Sequence, residues 1–126
     1  MERITEIFVV LENKPSILGE LCSYLAENDI NIEAIGVFQD TAKLYVKNIS
    51  KAIKLLSKLN YTTEVRDVLK VELENRPGAL AELATKLGNK GINIEYCYGT
   101  LSRKGTETSV ILDVSDIERA MEILKG

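Results

Sequence analysis

Glu12-Asn13-Lys14-Pro15-Ser16-Ile17-Leu18 returns as Glu74-Asn75-Arg76-Pro77-Gly78-Ala79-Leu80, at an offset of 62 residues. The match runs without a gap to Ile30-Asn31-Ile32-Glu33 against Ile92-Asn93-Ile94-Glu95. About half of the aligned positions are identical, both prolines of the chain among them. Beyond this block the second copy is about six residues longer around Ser102-Arg103-Lys104-Gly105, where Lys104-Gly105 reads as a hairpin turn. The correspondence resumes at an offset of 68, with Ile49, Ala52, Ile53 and Leu56 against Ile117, Ala120, Met121 and Leu124. Repetition at this period means that one supersecondary unit is used twice.

Each copy parses in the same way. Thr5 to Glu12 and Leu69 to Glu74 alternate and are rich in β-formers, so each reads as a first strand. Pro15 and Pro77 suit a first helical turn, where the missing N–H is not needed. Leu18, Leu21, Cys22 and Leu25 follow at helical spacing, as do Leu80, Leu83, Ala84 and Leu87, which predicts an apolar stripe on each helix. Asn28-Asp29 and Lys90-Gly91 end these helices, Gly91 being free to turn left-handed. Second strands are expected over 31–38 and 93–101, third strands over 41–47 and 106–114, and second helices on the Ile49 and Ile117 stripes. Tyr61 to Arg66 supplies a fourth strand to the first copy. The predicted fold class is α+β: two tandem ferredoxin-like βαββαβ modules, spanning 1–67 and 68–126, the second lacking its own fourth strand. Because that lack leaves backbone groups without partners, the first module or a second chain is expected to cover them. No Gly or Pro interrupts Tyr61 to Glu74, so the link between modules reads as short, one bent strand.

Composition narrows the function. Hydrophobic residues make up 45% and charged residues 28% of 126 residues, and the net charge is −3 with the basic residues scattered. Nucleic acid demands a clustered basic face, so no nucleic-acid partner is expected. No apolar run approaches a membrane span, the first residues enter a strand without an export segment, and the chain reads as cytoplasmic. Two modules of this size are marginal alone, which favours a homodimer. Cys22 and Cys97 form no CxxC pair and suggest no metal framework; Cys22 reads as a small core residue. Histidine is absent, which removes the commonest general base and metal ligand. No catalytic residue, metal or cofactor is expected.

The informative element is the repeated loop that joins first strand to first helix. A helix N-terminus offers N–H groups and partial positive charge to a carboxylate. Gly78, without a Cβ, admits a ligand close to the backbone. Asparagine carries donor and acceptor groups, so Asn75 or Asn93 can address both ends of a zwitterion. Asn-Arg-Pro-Gly-Ala-Leu at 75–80, together with Ile92-Asn93-Ile94, resembles the signature of ACT domains, small regulatory modules of amino-acid metabolism. The resemblance covers both repeats, and the chain is similar to stand-alone tandem ACT-domain proteins. It implies that an amino acid binds between paired modules, near the strand-to-helix loop of one and the helix-to-strand turn of its neighbour. The implied ligand-binding residues are Asn75, Gly78, Ala79, Leu80 and Asn93 in the second copy. In the first they are Asn13, Ser16, Ile17, Leu18 and Asn31, with Ser16 in place of the motif glycine.

Plainer readings stand beside this one. Asn13 or Asn75 can be a helix cap, and Asn31 and Asn93 can be turn residues. Glu33 and Glu95 suit a solvated strand face, while Tyr96 and Tyr98 suit a core, an interface or a pocket wall. At the level of function the alternative is a regulatory or structural subunit that docks on a partner enzyme through its sheets and binds no small ligand. An acylphosphatase-type anion loop and the aromatic pattern of RNA-binding sheets are not recognisable.

Overall fold

The computed structural model describes residues 1–99 and 107–125. The chain is α+β. Its elements run β1 (Glu2–Val10), α1 (Ile17–Glu27), β2 (Ala34–Phe38), β3 (Thr41–Tyr45), α2 (Ile49–Lys58), β4 (Thr63–Glu74), α3 (Ala79–Gly88), β5 (Ile94–Gly99), β6 (Glu107–Val114) and α4 (Ile117–Lys125). β4 is one unbroken strand across the junction of the repeats, as the lack of Gly and Pro there leads one to expect. The hairpin turn expected at Lys104-Gly105 lies outside the described residues.

The chain divides into two compact units, Thr5–Arg66 and Met1–Ile4 with Asp67–Gly126. In Thr5–Arg66 the strand order is β2-β3-β1-β4. β3 pairs antiparallel with both β1 and β2, in a register that sets Ile7 opposite Leu44 and Gly36 opposite Lys43. Alternation along the strands sends Ile7, Val9, Ala42 and Leu44 to one face, where they meet Leu21 and Leu25 of α1 and Ala52, Leu55 and Leu56 of α2. The two-residue period of the strands and the helical period of α1 and α2 thus converge on one core. Each large side chain removed from water there contributes about 1.5–3 kcal/mol. Phe8 and Lys43 have the opposite parity, and the Lys43 ammonium lies 4.9 Å from the Phe8 ring centroid and 5.0 Å from that of Phe38. The two rings stabilise a cation that is largely buried.

In the other unit the order is β1-β4-β6-β5. Leu69, Val71, Leu83, Leu87, Val110 and Leu112 form its core. The first residues of β1 stand beside β4, in the position for which the second copy has no strand of its own. Met1–Ile4 belong to this unit, while the rest of β1 belongs to Thr5–Arg66. Arg3 fastens this segment: its Nη2 donates to Asp67 at 2.9 Å and its Nη1 to Glu118 of α4 at 2.7 Å. Ile4 is buried. The open backbone of the second repeat is therefore met by the start of the chain itself.

Two local expectations change. The prolines sit outside the helices, because Ser16 and Gly78, the residues that precede α1 and α3, turn left-handed at φ 76° and 91°. A left-handed residue cannot continue into a right-handed turn, so the helix starts only after it. Leu18 and Leu80, expected on the apolar stripes, face outward and are 42% and 48% exposed, whereas Leu21, Leu25 and Leu87 are fully buried. Cys22 is half-buried beside them, and burial pushes its thiol pKa up, so it holds the proton and behaves as a small apolar group.

Two stability predictions follow from these features. Ile4→Ala should lower stability by about 2–4 kcal/mol, and hydrogen exchange should show the lost protection in Leu69–Val71 and β6. An N-terminal tail residue without a structural place would change nothing. Ser16→Gly should raise stability by about 0.5–1 kcal/mol and Gly78→Ser should lower it by about 1–2 kcal/mol, both read by chemical denaturation. A Cβ on Gly78 would meet only Arg76 Nη1 at 3.7 Å, so the cost there is one of backbone conformation.

Candidate functional site

The two strand-to-helix loops fold alike. In the first, the Lys14 N–H donates to the Glu12 carbonyl at 3.1 Å and the Glu20 N–H to the Ser16 carbonyl at 2.9 Å. In the second, Arg76 and Glu82 repeat these bonds to Glu74 and Gly78, each at 2.9 Å. Ser16, the cap residue of α1, makes no side-chain capping hydrogen bond, and Gly78, the cap residue of α3, has no side chain to make one. Ser16 and Gly78, not Asn13 and Asn75, hold the N-cap positions. The first-turn N–H groups of a helix carry partial positive charge, which both loops adjoin. In the first copy, the Leu11 N–H donates to the Asp40 carbonyl at 2.7 Å and ties the loop to the β2–β3 hairpin.

A basic residue between two acids accompanies each loop. Arg76 donates from Nε to Glu74 at 2.8 Å and from Nη2 and Nη1 to Glu82 at 2.8 and 3.2 Å. This clasp holds the Glu82 carboxyl below the usual range and the guanidinium firmly charged. Lys14, the equivalent residue, pairs with Glu12 at 3.0 Å. Burial, then the charges of Glu20 and Glu12, push the nearby Tyr61 hydroxyl pKa up, and Lys14 opposes them. Glu12, Lys14 and Glu20 match Glu74, Arg76 and Glu82 at the repeat offset. Sequence reasoning passed over these charges, although the repeat carried them. Both signs beside one helix start suit a ligand with both signs.

A cleft of about 80 Å³ opens at the first loop. Asn13, Ile17 and Leu18 line it, and Val37 and Gln39 of the β2–β3 hairpin add a wall that the sequence did not reveal. Ser16 is not among its walls. Leu18 and Val37 leave apolar surface exposed at its rim. Asn31 lies elsewhere, in a cavity of about 160 Å³ with Asp29, Glu33, Lys47 and Asn48. Its Nδ2 donates to Glu33 at 2.6 Å, and Lys47 pairs with the same carboxylate at 3.4 Å. Helix α1 stands between the two places. Its 11 residues separate them by roughly 16 Å.

The second copy repeats this separation. Asn75 precedes α3 and Asn93 follows it, so the 10 residues of the helix hold them roughly 15 Å apart. The Asn93 N–H donates to Ser115 Oγ at 2.9 Å, and its carbonyl accepts the Ser115 N–H at 2.9 Å. Gly78 and Leu80 are exposed at the loop, whereas Ala79 is buried. Tyr96 and Tyr98 lie off the core and stack on each other, ring centroids 6.4 Å apart. One module therefore brings its loop residues together and leaves its turn asparagine at the far end. The cleft at the first loop, at about 80 Å³, is well short of the roughly 300 Å³ from which enclosed ligand pockets begin.

Among the described residues no cluster of three His, Cys, Asp or Glu side chains is arranged to hold a metal ion. Among the same residues no helix is long and apolar enough to cross a membrane.

Comparison with known proteins places this geometry. Protein BT0572 from Bacteroides thetaiotaomicron superposes with a TM-score of 0.85 at 30% identity, over 98% of this chain and 87% of that one. The regulatory subunit of aspartate kinase from Thermus flavus gives 0.73 at 21% identity, over 99% and 90%. That of Thermus thermophilus, in ligand-free form, gives 0.67 at 20%, over 99% and 96%. The two aspartate kinase subunits show a shared fold. No curated protein matches the chain by sequence. A family model described as an ACT domain pair matches residues 2–125, both copies of the loop included, and the chain belongs to that family.

Proposed function

We propose that this protein is a non-catalytic, amino-acid-sensing regulator of amino-acid metabolism that works in the cytoplasm as a homodimer. Its two ACT-like domains, 1–67 and 68–126, are ferredoxin-like βαββαβ modules, with Met1–Ile4 serving as the fourth strand of the second. The ligand is held between paired modules. The strand-to-helix loop of one (Asn75, Gly78, Ala79 and Leu80, or Asn13, Ser16, Ile17 and Leu18) faces the turn asparagine of its neighbour, Asn93 or Asn31.

The observation that carries this reading is the incompleteness of the site at the first loop. At the first loop a helix start whose cap residue Ser16 makes no side-chain hydrogen bond, a charge pair of both signs and an outward-facing leucine surround a cleft too small to enclose a ligand alone. The asparagine meant to complete it sits at the opposite end of the helix. A second module supplies what is missing. The edge strand β2, Ala34-Ile35-Gly36-Val37-Phe38, carries no charge or proline and exposes Ile35, Val37 and Phe38, as a strand that pairs with another chain does. A ligand that binds only the paired state shifts the population toward it, which is how sensing becomes output.

The same edge favours a second reading, in which the chain docks on a partner enzyme through its sheets and takes no ligand. The likeness to regulatory subunits of aspartate kinase supports a partner enzyme under either reading.

A thermal-shift screen against the twenty amino acids separates the two. A ligand at a hundred times its Kd adds about 2.7 kcal/mol, a rise on the order of 10 °C for a chain of this size. Asn75→Ala combined with Asn93→Ala should abolish the response and leave the unliganded melting temperature close to wild type. A full response in the double variant refutes the site, and silence toward all twenty, with an enzyme copurifying, establishes the docking reading.

A further inference from the structure

The turn that follows the first helix is built differently in the two copies. In the second, Asn93 and Ser115 close the end of the β5–β6 pair. The Ser115 N–H donates to the Asn93 carbonyl and the Asn93 N–H to Ser115 Oγ, each at 2.9 Å. By the repeat offsets, Asn31 and Lys47 stand in these two places in the first copy, and they form neither bond. Lysine has no hydroxyl beside its own backbone, and its ammonium reaches Glu33 instead, at 3.4 Å. Strand pairing also stops earlier: β2 begins at Ala34, whereas β5 begins at Ile94, the equivalent of Ile32. At the parted end lies a cavity of about 160 Å³, walled by Val46 and by Asn48, the cap of α2.

We infer that this parted end is a binding site, complete within one module, for a small zwitterion, an amino acid the size of glycine, alanine or serine. Parting releases two backbone donors, the N–H groups of Asn31 and Lys47, and one acceptor, the Asn31 carbonyl. Backbone groups of this kind take partners, and a molecule that carries a carboxylate beside an ammonium supplies both kinds. The side chains repeat the match. Lys47 offers a cation to the carboxylate, while Asp29 and Glu33 offer carboxylates to the ammonium, Glu33 already held by Asn31 Nδ2 at 2.6 Å. Of these three charges the second copy keeps only Glu95, because Gly91 replaces Asp29 and Ser115 replaces Lys47. The turn itself does not call for the aspartate. Asp29 and Gly91 are both left-handed, at φ 60° and 77°, where glycine is the unstrained choice. The volume equals that of about five waters at ~30 Å³ each, which admits a ligand of roughly five to seven non-hydrogen atoms. This goes beyond the inter-module reading, because the site needs no second module and uses no part of the strand-to-helix loop.

Heteronuclear NMR of the whole chain, titrated with glycine, L-alanine and L-serine, tests this, with methylammonium and acetate as probes of a single charge. The amide signals of Asn31, Glu33 and Lys47 should move together and saturate at one ligand per chain. Methylammonium and acetate, each carrying half of the ligand, should bind at least about tenfold more weakly. Asp29→Gly with Lys47→Ser installs the residues of the sister turn. That variant should keep a melting temperature at or above wild type and lose at least about tenfold in affinity. Lys47→Arg, which keeps the charge, should retain binding. Unmoved signals at Asn31, Glu33 and Lys47 with all three amino acids, equal binding of either single-charge probe, or full affinity in the double variant overturns the inference. Shifts confined to the loops at 12–18 and 74–80 also overturn it but leave the inter-module reading standing. Shifts at the parted end, with those loops silent toward all twenty amino acids, uphold it and overturn that reading.

Discussion

A left-handed residue stands at the entrance to each first helix, Ser16 at φ 76° and Gly78 at φ 91°, and the geometry of both loops descends from it. That conformation ends the turn begun at Glu12 or Glu74 and delays the helix until Ile17 or Ala79. It pushes the prolines out of the helix. It also sets the rotation of the helix, so that the first leucine points outward while the leucines one and two turns later fill the core. Glycine takes this conformation freely. Serine takes it against a steric penalty of about 1 kcal/mol, so the first copy keeps the loop's shape at the expense of stability.

Charge then fixes the loop once its shape is set. Glu74, Arg76 and Glu82 form a closed clasp, and Glu12 and Lys14 form its looser counterpart. On an exposed surface such pairs contribute little to folding, so their recurrence at equivalent positions is better explained by what they present than by what they stabilise. The carboxylates and the cation already satisfy one another, and a zwitterion can exchange with them one charge for one charge without stranding either.

Much of the architecture was legible in the sequence because the repeat tests itself. Every periodicity in one copy could be checked against the other, and the cross-strand pairs of β5 and β6 stand at the offsets that the alignment predicts. What escaped was information of a different kind. The position of Pro15 and Pro77 depended on the dihedral of the next residue, which composition does not reveal for a serine. Leu18 and Leu80 have the spacing of core residues and the exposure of surface ones, because the stripe they extend rotates off the core at the helix start. Met1–Ile4 read as the opening of the first module's first strand, and nothing local marks them as belonging with Asp67–Gly126; only the opposing positions of Asp67 and Glu118 give Arg3 its place. Proximity in sequence also misled. Asn75 and Asn93 flank one helix and so lie at its two ends, a separation set by the rise per residue and by no choice of side chain.

In the proposed function that separation makes the fold a device that senses through assembly. A module that held its loop and its turn asparagine together could bind a ligand alone, and the bound ligand would have nothing to report. With the two halves of the site roughly 15 Å apart on each module, a small zwitterion can satisfy both only where two modules meet. Its affinity for the separated state is correspondingly lower. In that reading the coupling between binding and pairing is that difference in affinity, set by the length of one helix. Strand β4, continuous from Thr63 to Glu74, and strand β1, whose two ends belong to different units, give each module a covalent stake in the other.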